Sequence, residues 1–302
     1  MTPWLLHLDD SLPRQPRLQE AVRRRDGGVV EARDLGPELR LWCAGRTLGA
    51  LSRRLEETMA AGEPKLIFAG SGDFHHLTPV FLARALGASD DEVTVVHFDN
   101  HPDWMRALPG RHCGSWVGTA ARMKGVSRVI TIGCCSPDIG GSRQRQGDTR
   151  LVDEGRLTLF AWSAPRGGEG LKIRGRPVEC VAAIGEAAFI DQLQAEISTP
   201  AVYLTVDKDV LRPADAVTNW DQGEASLDFV LSAARAAVCG RQLIGADVVG
   251  DWSEPRWGGN MLMRGLKAGE SWLDKPRSLP DRAGADRINE AANLRLLETF
   301  AS

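Results

Sequence analysis

The sequence predicts a three-layer, doubly wound α/β fold with a parallel central sheet, and three observations carry the prediction. Short runs of apolar and β-branched residues recur along the chain, apolar at odd and even positions alike, as in strands buried on both faces. Amphipathic stretches separate these runs. Side chains able to bind a metal or move a proton gather directly after three of the runs, where open α/β sheets bind their ligands.

In chain order the predicted strands are WLLHL at 4–8, KLIFAG at 65–70, VTVVHFD at 93–99, SRVITIGC at 127–134, RLTLFAW at 156–162, AVYLTVD at 201–207 and QLIGADVV at 242–249. Four stretches have helical spacing. The first, 45–62, is closed by Gly62 and Pro64, and the second, 79–88, has Pro79 as a first helical residue. The third, 226–239, starts from a Ser226 cap, and the last, 285–300, carries leucines at helical intervals, for core or interface. Segments 140–148 and 165–175, rich in Gly and Arg, read as surface loops. With no repeat and no long linker, 1–302 is expected to form one domain.

The composition is that of an ordinary globular chain: 302 residues, 43% hydrophobic, 25% charged, net charge −3. No strongly basic face is implied, so nucleic acid and anionic membranes are not expected partners. None of the six cysteines forms a CxxC pair, which argues against a zinc ribbon and for free thiols in a reducing compartment. The N-terminus lacks a basic leader, and no run of about 18 apolar residues occurs, so a cytoplasmic location is expected.

The chemistry concentrates in HFDNHPDW at 97–104, where Asp99, His101 and Asp103 alternate after an apolar run. In an extended segment all three would point the same way, and such a cluster needs a positive centre. SGDFHH at 71–76 and DKD at 207–209 follow two other strands. Alone, DKD reads as a turn or helix cap and HH as surface. Together they supply Asp99, Asp103, Asp207, Asp209, His101 and a further group among Asp73, His75 and His76. That set is too large and too rich in carboxylate for one tetrahedral zinc and suits two divalent ions, Mn²⁺ among them. Two such ions would hold a hydroxide able to attack a trigonal carbon.

DNHPD at 99–103 resembles the DxHxD motif of the arginase superfamily of ureohydrolases, VDKDVLRP at 206–213 resembles its SxDxDxxDP motif, and GSGDFHH at 70–76 is loosely similar to its GGDHS motif. The resemblance covers about 65–249. It implies an arginase-like fold, two Mn²⁺ bridged by Asp99 and Asp207, and cleavage of a C–N bond in a guanidino or amidino compound. Asp103 and a first-motif residue would complete one site, and His101 and Asp209 the other. Asp103 would also orient the hydroxide. LPGRHCGSW at 108–116 resembles the family's histidine-glycine segment, which makes His112 a candidate proton shuttle rather than a surface imidazole. A homo-oligomer is expected only by family.

Three departures from the family pattern stand out. GDFHH replaces GDH, so Asp73, Phe74 or His75 could occupy the ligand position, with His75 favoured. Gly250 stands where the family has a guanidinium-binding Glu, leaving Asp251 or Glu254 to supply a carboxylate. Lys208 separates two expected ligands and is expected to form a structural ion pair. Thr218, Asn219, Trp220 and Asp221 follow the DKD strand and are candidate pocket residues; Trp220 would stack on a flat cation or close the core. Two competing readings are a deacetylase-like amide hydrolase, which needs a late catalytic Tyr although the only one is Tyr203, and a metal-binding scaffold without activity.

Overall fold

A computed structural model describes residues 1–59, 63, 65–163, 171–273 and 281–301. Its strands are β1 Thr2–His7, β2 Gly28–Glu31, β3 Lys65–Phe68, β4 Val93–Phe98, β5 Val126–Cys134, β6 Leu157–Ala161, the short pair β7 Lys172–Ile173 and β8 Arg176–Pro177, β9 Ala201–Asp207 and β10 Gln242–Val249. Eight of these form one parallel sheet in the order β2-β1-β3-β10-β9-β4-β5-β6. The helices are α1 Pro16–Arg23, α2 Gly36–Leu39, α3 Gly45–Thr58, α4 Thr78–Leu86, α5 Val117–Ala121, α6 Arg150–Asp153, α7 Val181–Ile184, α8 Glu186–Glu196, α9 Leu227–Val238, α10 Met261–Leu273 and α11 Arg282–Phe300.

Strand alternation splits the core into two layers. Leu5, Phe68, Val96, Phe98, Ile132, Leu204 and Val206 pack under α1, α8, α9 and α11. Leu6, Ile67, Val95, Val129 and Tyr203 pack under α3, α4 and α5. All seven predicted strands are present. The edge strand β2 has no counterpart among them, since GVVE is short and half exposed. Ser226 caps α9 by accepting from Phe229 N, and Leu296 and Leu297 of α11 are core residues. The helix expected over 45–62 is α3 and ends at Thr58, and Gly62, Pro64 and part of the 165–175 loop lie outside the described residues. None of the described helices is long and apolar enough to cross a membrane.

A buried ion pair fixes the end of β9. There the chain enters a 3₁₀ turn, Lys208–Val210, which sends Lys208 away from its acidic neighbours. Its Nζ lies 2.6 Å from Asp251 Oδ1 and 2.9 Å from Asn293 Oδ1 on α11. Gln15 and Asn293 also donate to Asp251. Lys208 is therefore the expected structural ion pair, and Asp251 is its partner, so the proposed role of Asp251 as a substrate-binding carboxylate is corrected. Asp251→Ala should cost about 3–5 kcal/mol in denaturant unfolding by stranding a buried ammonium. Lys208→Met with Asp251→Leu should recover most of that loss, and equal losses in the single and double variants would count against the pairing.

Candidate metal centre

The ends of β3, β4 and β9 deliver the centre. After β3 the chain turns through a 3₁₀ segment, Gly72–Leu77, whose side chains diverge. Asp73 is held by Arg40 and accepts from Trp220 Nε1, while Phe74 is buried under the Arg40 guanidinium. His76 turns to the Cys43 thiol, and burial pushes its pKa down to about 3. Of the first-motif candidates, His75 meets the carboxylates. Its Nδ1 lies 3.0 Å from Asp99 Oδ2, 3.1 Å from Asp103 Oδ2 and 3.6 Å from Asp207 Oδ2.

Hydrogen bonds beneath His75 set its tautomer. Tyr203, Thr78 and Thr205 each donate a hydroxyl to the buried Asp247. With its proton committed to Asp247, Thr205 Oγ1 accepts from His75 Nε2 at 2.9 Å. The ring proton is therefore on Nε2, and Nδ1 presents a lone pair to the acidic cluster. That buried Nδ1 has no hydrogen bond of good geometry. His101 repeats the arrangement: Nε2 lies 3.0 Å from Asp221 Oδ1, and Nδ1 lies 2.9 Å from Asp209 Oδ2 and 3.6 Å from Asp99 Oδ1. Metal-binding imidazoles are commonly oriented by tying the other nitrogen to a carboxylate or another acceptor in this way.

Asp99 links the two halves, with Oδ2 facing His75 and Oδ1 facing His101. The fully buried His97 holds it from inside β4, with Nε2 2.8 Å from Asp99 Oδ2 and Nδ1 3.0 Å from Thr131 Oγ1. The residues after Asp99 do not continue the strand. Asp103 has φ +44°, accepts from Trp116 Nε1 at 2.6 Å, and reaches the cluster through a loop rather than by alternation. Asp209 Oδ1 accepts from Asn100 N at 3.0 Å. Two candidate ion-holding groups result: His75, His97, Asp99 and Asp103, and then Asp99, His101 and Asp209, with Asp207 beside them.

The backbone closes tightly around Asp207. A Cβ on Gly72 would stand 2.6 Å from Asp207 Oδ2, and one on Gly250, at φ +95°, 2.5 Å from both Asp207 Oδ1 and Lys208 N. Gly250 thus admits no side chain, and Glu254 stands 3.9 Å from Arg282, outside the cavity lining. Burial and then the Asp99 charge push Asp207 up to about 7, and the same two effects raise Asp103, while Asp209 is raised by burial and then by the Asp207 charge. Without a cation, Asp103 and Asp99 overcome burial to raise His75 well above the usual imidazole range. The donor set fits divalent cations: carboxylates that resist ionising together, and two imidazole Nδ1 atoms aimed among them.

A cavity of about 370 Å³ opens onto this floor. Asp99, His101, Asp103, Asp207 and Asp209 line its base, Trp104, Met105 and Trp220 its apolar side, and His112 and Glu270 another wall. Asp138, paired with Arg143, lies farther along the lining. Of the predicted pocket residues, Trp220 lines the cavity, edge-on to His101 at 6.0 Å, while Thr218 and Asp221 do not; the expected proton shuttle His112 also lines it. Asn219 does not line it: its amide is consumed by Ser253 N, Ser253 O and Ser71 Oγ, so it ties loops together instead. Tyr203 is buried against Asp247 and is no late catalytic tyrosine.

Neither a known family model nor a curated protein matches the sequence. Solved structures do match the fold. Arginase from Bacillus subtilis aligns over 98% of both chains with TM-score 0.59 at 12% identity. A hypothetical agmatinase from Burkholderia thailandensis covers 99% of this chain and 84% of its own, with TM-score 0.54 at 15% identity. Proclavaminate amidino hydrolase from Streptomyces clavuligerus covers 88% and 74%, with TM-score 0.51 at 18% identity. The fold is arginase-like. Within this arginase-like frame, the His97 support and the Glu270 wall are the features the sequence motifs missed. A histidine inside an otherwise apolar strand was the available signal for the first.

Above about pH 5, where the ion-paired carboxylates are ionised folded and unfolded alike, the raised Asp103, Asp207 and Asp209 make the metal-free protein bind more protons folded than unfolded, up to about pH 7. Its stability should therefore fall as pH rises through that window. Divalent metal should raise the melting temperature more at pH 8 than at pH 5.5. Melting curves with and without Mn²⁺ test this, and a metal increment independent of pH would contradict it.

Proposed function

We propose that this chain is a binuclear, divalent-metal-dependent hydrolase of C–N bonds in guanidino or amidino small molecules, with two Mn²⁺ per chain, acting in the cytoplasm. One observation carries the reading: two imidazoles, each with Nε2 tied to an oxygen outside the cluster, aim Nδ1 at a shared set of buried carboxylates on a cavity floor. His75, Asp99, His101, Asp103, Asp207 and Asp209 would hold the ions. When bound, the ions supply a nucleophile at neutral pH and polarise the trigonal carbon. Asp103, fixed at Oδ2 by Trp116, would orient the attacking water. Trp104, Met105 and Trp220 form an apolar wall that limits water. His112 accepts Gly114 N–H at Nδ1 and meets Glu270 Oε1 at Nε2, and a proton held between that Nε2 and the carboxylate would be passed to a departing amine, leaving a neutral ring and a carboxylate. Water is added, the C–N bond breaks, and a guanidino substrate gives an amine and urea, while a formimino amine gives an amine and formamide.

After Mn²⁺ loading, urea, formamide, ammonia or amine release from a panel of guanidino and formimino compounds should appear for at least one class. Asp209→Ala should abolish that release together with metal uptake. Full metal occupancy without any release would overturn the hydrolase and favour the scaffold to which the closed Gly250 position also points.

A further inference from the structure

Glu270 is the cavity carboxylate for which neither the metal cradle nor an ion pair with Arg143 accounts. Its Oε1 lies 2.5 Å from His112 Nε2, and its Oε2 accepts from Trp42 Nε1 at 3.2 Å. Its side chain is 36% exposed and borders the same cavity as the carboxylate floor. A carboxylate offers about four acceptor sites, so these two contacts leave room for a ligand.

Charge balance gives that room a preference. In the two-metal reading, Asp99, Asp103, Asp207 and Asp209 are matched by two divalent cations. Asp138 is matched by Arg143. His112 accepts a backbone N–H at Nδ1, which favours the neutral ring, so it does not cancel a neighbouring charge. Lys267, the cation closest in sequence on α10, hydrogen-bonds Glu38 O, sits 4.8 Å over the Trp42 ring and does not line the cavity. Among the described lining residues, the negative charge left facing the cavity is that of Glu270.

We propose that Glu270 selects a cationic head group, a guanidinium or amidinium, by accepting its N–H groups, and so does from α10 what Gly250 has no space to do. This rests on the hydrolase reading for its substrate but not for its test. The α10 anchors hold the carboxylate in place: Lys267 on Glu38 and Trp42, and Trp42 on Glu270 itself. His112 completes the clamp: it fixes Oε1 while Trp42 fixes Oε2, and the remaining acceptor sites of the two oxygens are those a ligand would use.

The probes are methylguanidinium and its neutral isostere methylurea, titrated into Mn²⁺-loaded protein. Binding is followed by calorimetry and by the Trp42 indole N–H signal, with metal content measured on each sample. The intact protein should prefer methylguanidinium by about tenfold or more, as a charge-assisted contact requires. Glu270→Gln should erase that preference with metal content unchanged, and Glu270→Asp, which keeps the charge but retracts it, should restore part of it. Equal binding of both probes by the intact protein, or equal weakening of both by Glu270→Gln, would overturn the assignment. Discrimination without turnover of any guanidino compound would leave Glu270 as a cation selector and remove the hydrolase. Turnover with no effect of Glu270→Gln on discrimination would do the reverse.

Discussion

The arrangement depends on one electrostatic constraint: several carboxylates share a buried floor at the ends of β4 and β9. Carboxylates at such distances resist ionising together without positive charge between them. Much of the surrounding structure serves that demand. Asp247 and its three hydroxyl donors orient His75 from below, Asp221 orients His101 from the side, and His97 steadies the shared Asp99. The buried Lys208–Asp251 pair keeps a positive charge out of the cluster although Lys208 lies between two of its acids in sequence.

Much of this was legible in the sequence. Runs apolar on both parities located the sheet, because a parallel strand covered on two faces tolerates few polar positions. The clusters at 71–76, 99–103 and 207–209 stood out because each interrupts or ends such a run. The free-thiol expectation for the cysteines agrees with six unpaired thiols.

The missed features depend on contacts between distant segments. Asp251 and Asn219 had suitable chemistry, but the sequence does not state that Lys208 and Ser253 consume them. Asp103 was expected to converge by strand alternation, whereas a left-handed backbone turn brings it in. Helix α10 is interrupted by glycines at 265 and 269, and nothing in its sequence says that Glu270 meets His112 from a distant loop.

Gly250 also limits how the cavity can be retuned. A backbone at φ +95° pressed onto Asp207 and the Lys208 amide closes the route by which a single substitution could place an acidic side chain there. Any side chain at 250 would require the β10 exit to move, which would disturb Asp251 and the ion pair beside it. Changes in what the cavity accepts are therefore channelled to its other walls, while the metal cradle stays as it is.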